Sequence, residues 1–296
     1  AAVIMIVLLY GLLTPVDEMD RVIESKFRNL IDYVIDGGVH GVLAFASNSE
    51  FYGVDPYEQE RGLSIVVDHV SGRVPVYMGI GGITTRECIK TAKMAEKEGA
   101  NAISVLAPMF VSPNENELFE HFSAITNSVS IPALLYNNPG KVGYNMSVNL
   151  VDRLSNISNI VGIKDSSGNM TMTAEYIRVT KDKNFKVLAG KDTMILASLV
   201  YGAAGCVAST ANVVPRLVTD IYNKFNDGDL KGSLEAQFLL NPFRMVFDKA
   251  SFPVATKEAA NLIGLDLGNP IKPNLPCSDE IRSQLKKTLI DIGVIK

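Results

Sequence analysis

The chain has 296 residues, 47% of them apolar and 20% charged. That composition suits a globular protein with a large buried core and argues against a disordered chain. A formal net charge of −4 with no basic cluster argues against nucleic-acid binding, and three widely spaced cysteines (Cys88, Cys206, Cys277) with no CxxC pair predict a reduced, cytoplasmic protein.

The apolar start, AAVIMIVLLYGLLTP, has no basic flank, is short for a bilayer span and runs into Thr14-Pro15. It reads as a first buried strand over 3–9, not as a signal peptide or membrane helix. Seven more short runs follow, at 42–46, 74–80, 102–107, 131–136, 160–163, 185–189 and 206–209. They are rich in Val, Ile, Leu and Ala without period-two alternation, the pattern of parallel strands buried on both faces. Amphipathic segments separate them. DRVIESKFRNLIDYVIDGG, for example, places Val22, Ile23, Phe27, Leu30, Ile31 and Val34 at three-four spacing. The joints DGGVHGVLAF, KEGANAISVL and YGAAGCVAS each end a helix on glycine before the next strand.

Eight such units predict an α/β fold, a (β/α)8 TIM barrel over 1–228. An open doubly wound sheet is the alternative, but YGLLTPVDE lacks the G-x-G-x-x-G turn expected after its first strand. Beyond 228 the strands stop. DLKGSLEAQFLLNPFRMVF, TKEAANLIGL and SDEIRSQLKKTLIDIG predict a C-terminal three-helix appendage over 229–296, packed on the barrel.

In such a barrel the C-terminal ends of the strands converge on one face, where active sites lie. The second strand exits into Ser47-Asn48-Ser49, the fifth ends at Tyr136-Asn137 and the sixth at Lys164; Lys191-Asp192 follow the seventh, and Ser209 and Asn212 the eighth. A lone lysine after a strand is ordinarily a solvated loop residue, and a tyrosine there ordinarily packs in the core with its hydroxyl wet. Together at a barrel mouth they suggest more. Desolvation favours a neutral amine, which attacks carbonyls and forms a Schiff base, and a neighbouring phenol can carry the protons. The Ser47–Asn48 turn could hold a carboxylate on its hydroxyl and N–H groups. His40, His69 and His121 are too scattered for a metal cluster or a Ser-His-Asp arrangement, Glu50 reads as a structural residue bonding loop backbone, and GIGG at 79–82 is a weak phosphate signal.

YNNPG at 136–140 followed by Lys164 in GIKDSSG resembles the dihydrodipicolinate synthase / N-acetylneuraminate lyase family of class I pyruvate-dependent aldolases. LLTPVDE, GVLAFASNSE, GIGGITTRECIKTAKMAEKEGANAISVLAP, LAGKD and GCVAST extend the resemblance over almost the whole chain. It implies that Lys164 forms the Schiff base with pyruvate or a 2-oxo acid, that Tyr136 relays protons, and that Ser47 and Asn48 bind the carboxylate. It also implies a homotetramer and a lyase needing no cofactor or metal. Three departures stand out: Ser49 replaces a glycine of the family's turn, which predicts added bulk near the substrate carboxylate; Phe110 replaces a tyrosine lent across a dimer interface, and cannot carry a proton; Lys141 replaces an arginine that binds the aldehyde's carboxylate, keeping the charge but losing the fork. These predict an intact pyruvate half and an altered partner half. Alternatives are a 2-keto-3-deoxy sugar acid aldolase or dehydratase, or an N-acetylneuraminate lyase-like enzyme, with Lys191, Asp192, Ser209 and Asn212 meeting hydroxyls. A barrel that binds a 2-oxo acid without turning it over is the non-enzymatic alternative.

Overall fold

Eight parallel strands pair in chain order and close on themselves: β1 (Leu8–Gly11), β2 (Gly41–Ala44), β3 (Val76–Ile80), β4 (Ala102–Leu106), β5 (Ala133–Asn137), β6 (Ile160–Asp165), β7 (Lys186–Ala189) and β8 (Gly205–Ala208), with β1 bonded to both β2 and β8. This is a computed structural model, and it describes residues 7–296. The helices α1 (Glu24–Asp36), α2 (Pro56–Val70), α3 (Thr85–Lys97), α4 (Glu115–Asn127), the single turn α5 (Pro139–Val142), α6 (Val148–Leu154), α7 (Met170–Thr180), α8 (Ile195–Tyr201) and α9 (Pro215–Asn226) lie between and after the strands. A C-terminal extension of α10 (Leu230–Phe247), α11 (Val254–Leu262) and α12 (Asp279–Ile292) completes the fold. Among the described residues no helix is long and apolar enough to cross a membrane.

Most strand ends move by a residue or two, and two of the shifts matter here. The first strand lies at Leu8–Gly11 and not at 3–9, of which 3–6 fall outside the described residues. The apolar run is longer than one strand needs, so composition alone could not place it. The sixth strand continues through Lys164 to Asp165, because both residues pair with β5 and β7.

Strand side chains alternate between two faces, and both are buried here. Leu9, Leu43, Tyr77, Leu134, Leu188 and Val207 form one cluster, inside the barrel. Their neighbours Leu8, Tyr10, Val42, Val105, Leu135 and Ile163 turn outward and pack with helical residues such as Phe27, Leu30, Ile31 and Phe122. Each fully buried Leu or Phe contributes roughly 1.5–3 kcal/mol through the water it sheds. Local chemistry sets several helix starts. Thr84 and Glu87 exchange bonds at the start of α3, Asn114 and Glu117 do so at α4, and Ser278 caps α12.

One buried ion pair ties the C-terminal helices to the barrel mouth. Lys257 of α11 donates to Glu50 at 2.8 Å, with the two side chains 1% and 0% exposed. The other Glu50 oxygen accepts from the Ile271 N–H at 2.7 Å. Glu50 therefore bonds backbone as expected, but it also holds a lysine more than 200 residues away in sequence. Burial pulls the Lys257 ammonium below the ordinary lysine value, and the Glu50 carboxylate acts against that pull. Removing one partner strands the other charge in the interior. Lys257→Met is therefore expected to cost about 3–5 kcal/mol in denaturant unfolding. Adding Glu50→Gln to that variant should recover part of the loss; a single variant within 1 kcal/mol of the parent would contradict this.

Candidate active site

The candidate site begins with an irregularity between β5 and β6. Ala133 pairs with Ile160, but Leu134 pairs with Gly162, so β6 carries one extra residue. Beyond that bulge the register is Leu135 to Ile163, Tyr136 to Lys164 and Asn137 to Asp165. Continuing the first pairing without the extra residue would set Ile163 beside Tyr136. The bulge thus re-aims the strand end. Leu135 and Ile163 both join the outer core, so the next pair, Tyr136 and Lys164, turns inward.

Lys164 is 8% exposed, and its Nζ lies 4.1 Å from the centroid of the Tyr136 ring. The Tyr136 hydroxyl accepts a bond from Asn138 Nδ2 at 2.8 Å and lies 3.4 Å from Ser47 Oγ. Burial alone would raise the phenol's pKa. The Lys164 charge, with bonds from Ser47, Asn138 and Ser166, outweighs burial and holds it below the usual tyrosine value.

The residues next in line hold this pair in place. Asp165, 3% exposed, accepts from Asn137 Nδ2 (3.0 Å), the Ser167 N–H (3.0 Å), Ser167 Oγ (2.9 Å) and Thr173 Oγ1 (2.6 Å). Asn137 in turn accepts from the Met146 N–H at 2.9 Å. Gly190, after β7, must lack a side chain, since a Cβ there would lie 2.1 Å from Ser166 Oγ.

Around Lys164 opens a cavity of about 300 Å³, lined by Tyr136, Ser47, Asn48, Lys141, Ser209 and residues of the α10 end. All six predicted site residues therefore meet in one space, though not all with free side chains. Ser47 and Asn48 begin a tight helical turn, so their N–H groups have no acceptor within it. The Asn48 side chain itself is spent on the Gly11 carbonyl, at 2.6 Å, which it shares with Asn212. Ser209 lies 3.3 Å from the buried Asp192 carboxylate, which also takes the Thr210 N–H and hydroxyl at 2.8 and 2.6 Å. Lys141 stands at the rim with Nζ 4.4 Å from the Phe252 ring centroid.

Two expectations need correction. Ser49 adds no bulk to the cavity: it is wholly buried, accepting from the Ala46 N–H at 3.0 Å and donating to the Leu12 carbonyl. Asn212 cannot meet a substrate hydroxyl, because it is fully buried and bonded to Leu13, Gly11 and Ser209 backbone. Phe110 sits outside this cavity, 92% exposed at φ 71°. Sequence reading missed Asn138, although it stands inside the YNNPG motif, and it missed Ser166, Ser167, Arg244, Asp248 and Phe252.

The model of the Dihydrodipicolinate synthetase family matches residues 6–292. The chain belongs to that family. It is 34% identical over 279 residues to a 4-hydroxy-tetrahydrodipicolinate synthase of Methanothrix thermoacetophila, covering 94% of each chain. Among solved structures, a dihydrodipicolinate synthase from Bacillus anthracis superposes with a TM-score of 0.93 at 30% identity, covering 97% of this chain and 98% of that one. A prophage protein of the same family from E. coli K12, solved in complex with pyruvate, gives 0.94 at 27% identity and covers all of both chains.

The Tyr136 environment makes a direct prediction. In an ultraviolet difference titration against Tyr136→Phe, the Tyr136 phenolate should form below the pH at which free tyrosine ionises. Lys164→Met removes the main opposing charge and leaves burial, so ionisation should move above the free value. No upward movement would show that Lys164 does not set it.

Proposed function

We infer that this protein is a lysine Schiff-base lyase of the dihydrodipicolinate synthase type, acting on pyruvate or another 2-oxo acid. The observation that carries this reading is the inward, in-register placement of Tyr136 and Lys164 at one cavity wall. The family relationship and the pyruvate complex of the related prophage protein support it.

In this mechanism the substrate carboxylate rests on the free N–H groups and hydroxyl of the Ser47–Asn48 turn. Lys164 first passes a proton to the Tyr136 oxygen and then attacks the C2 carbonyl carbon as the free amine. Tyr136, which accepts a bond from Ser47, relays one proton from the attacking amine and gives up its own, so that the C2 oxygen departs as water and leaves an iminium. The Tyr136 phenolate left behind takes up a C3 proton, which gives the enamine and restores the phenol that protonates the aldehyde oxygen in the next step. The enamine C3 attacks the aldehyde carbon, forming the C–C bond while the aldehyde oxygen takes up a proton. Water then hydrolyses the imine and frees Lys164; cleavage runs the same steps backward. Lys141 meets the carboxylate of the aldehyde, and Ser209 lines the wall beside the reacting atoms.

A 2-keto-3-deoxy sugar acid aldolase or dehydratase, or an N-acetylneuraminate lyase-like enzyme, would share the iminium and differ at the rim. A non-catalytic 2-oxo acid binder would need neither Lys164 nor Tyr136. We assign 1–228 to the barrel and 229–296 to an appendage acting as one unit with it, and we place the protein in the cytoplasm as a homotetramer. The fully presented Phe110 ring, with exposed Val111 and Ile83 nearby in the β3 and β4 exits, supports an apolar subunit contact there.

Treatment with pyruvate and borohydride, followed by peptide mass spectrometry, tests the reading. A reduced pyruvyl adduct on Lys164, lost in Lys164→Ala, is expected. Saturating pyruvate that leaves no adduct on the folded chain would exclude Schiff-base chemistry with pyruvate; binding without an adduct would favour the binding-protein alternative.

A further inference from the structure

Tyr136 and Ser47 line the Lys164 cavity and also a second, much smaller space behind it. That space is open to the centre of a water molecule over about 10 Å³, the room one water needs. Phe45, Phe51, Ile80 and Leu106 give it apolar walls, and Ser104 is the third polar side chain on it.

Strand pairing puts Ser104 there. It stands between Gly79 of β3 and Leu134 of β5. Leu134 belongs to the interior cluster, so Ser104 also faces the inside of the barrel. Leu106, two residues on, pairs with Tyr136, which sets Ser104 one layer, roughly 6–7 Å, beneath the Tyr136 layer. Gly79 keeps the gap open on the β3 side, where a Cβ would lie 2.3 Å from the Phe45 carbonyl oxygen. Ser104 is 3% exposed, and its hydroxyl oxygen has no hydrogen-bond partner among the described residues. A buried hydroxyl left unpaired is costly, and such groups are normally satisfied by protein or by water. For packing alone an alanine would serve better.

Resting on the Schiff-base reading, we propose that Ser104 holds a water in this space, and that this water, through Ser47, exchanges the Tyr136 proton with solvent while substrate fills the outer cavity. Ser47 Oγ donates toward the Tyr136 oxygen at 3.4 Å, which leaves its own lone pairs for the water. Ser104 and Ser47 are then the two polar partners that a buried water requires. Once the Tyr136 phenolate has taken a proton from C3, Ser47 turns its hydroxyl to the water and accepts from the phenol. The phenol proton shifts to Ser47 as the Ser47 proton shifts to the water, and a solvent proton returns by the reverse shift. No bond between heavy atoms changes, and no net charge is left behind. Ser104 does not line the Lys164 cavity, so it acts through the water as a positioning residue.

Deuterium exchange into the methyl group of pyruvate, followed by NMR in D2O without any aldehyde, reads this step. The C3 proton must leave Tyr136 before a deuteron can return to C3. Borohydride trapping on Lys164 reads Schiff-base formation separately. In Ser104→Ala the exchange should fall about tenfold or more, a share of the roughly 10²–10⁴-fold that a placed proton-transfer group contributes, while trapping keeps the parent rate. A crystal structure of the parent should show a water between Ser104 and Ser47. Exchange in Ser104→Ala that matches the parent, exchange and trapping that fall together, or a crystal structure with no water at Ser104 would each overturn the relay. A parent adduct on Lys164 with an unaffected Ser104→Ala removes the relay alone, whereas no parent adduct removes the Schiff-base reading and the relay with it.

Discussion

The register between β5 and β6 is the constraint on which the site depends. One extra residue in β6 decides whether Ile163 or Lys164 stands beside Tyr136. Side chains in a strand alternate, so a slip of one position would also drive an ammonium into the outer apolar core and turn an isoleucine into the cavity. Burying an unpaired charge in that core costs several kcal/mol, which penalises the wrong register heavily. The same physics that excludes the slip therefore places a lysine where a carbonyl carbon can reach it. Asp165 and Asn137 reinforce the choice, because four donors converge on the Asp165 carboxylate only when the strand end is seated this way.

A second dependence runs from the carboxylate turn to the chain's far end. Glu50 closes that turn in the left-handed conformation, at φ 56°, and is anchored by Lys257 and the Ile271 N–H. A non-glycine residue in that region is strained unless its surroundings hold it. Here the C-terminal helices do so, while α10 and the segment after it bring Arg244 and Phe252 to the rim. The extension is thus part of the site's construction on two sides, as anchor for the turn and as wall for the cavity.

Much of this was legible in the sequence because it rests on local chemistry. Apolar runs without alternation marked buried parallel strands, and glycine joints marked the helix ends. YNNPG and GIKDSSG placed Tyr136 and Lys164 one unit apart. What escaped depends on contacts between distant segments. Nothing local to Lys257 announces Glu50 as its partner, and nothing in LNPFRMVF says that Arg244 reaches a barrel mouth. Ser49 was misjudged for a related reason: a side chain that replaces glycine adds bulk only on the side toward which it points, and this one points at the Leu12 carbonyl. Asn212 looked available because strand-end polar residues line such mouths, yet its amide completes the backbone bonding of the first strand's exit.

The most direct test of the central claim is a crystal structure of the protein soaked with pyruvate. Continuous density from Lys164 Nζ to C2 of the ligand is expected, with the ligand carboxylate on the Ser47–Asn48 turn and the Tyr136 hydroxyl beside C2. Pyruvate bound elsewhere, or seated in the cavity with Lys164 unmodified and turned away, would contradict the account.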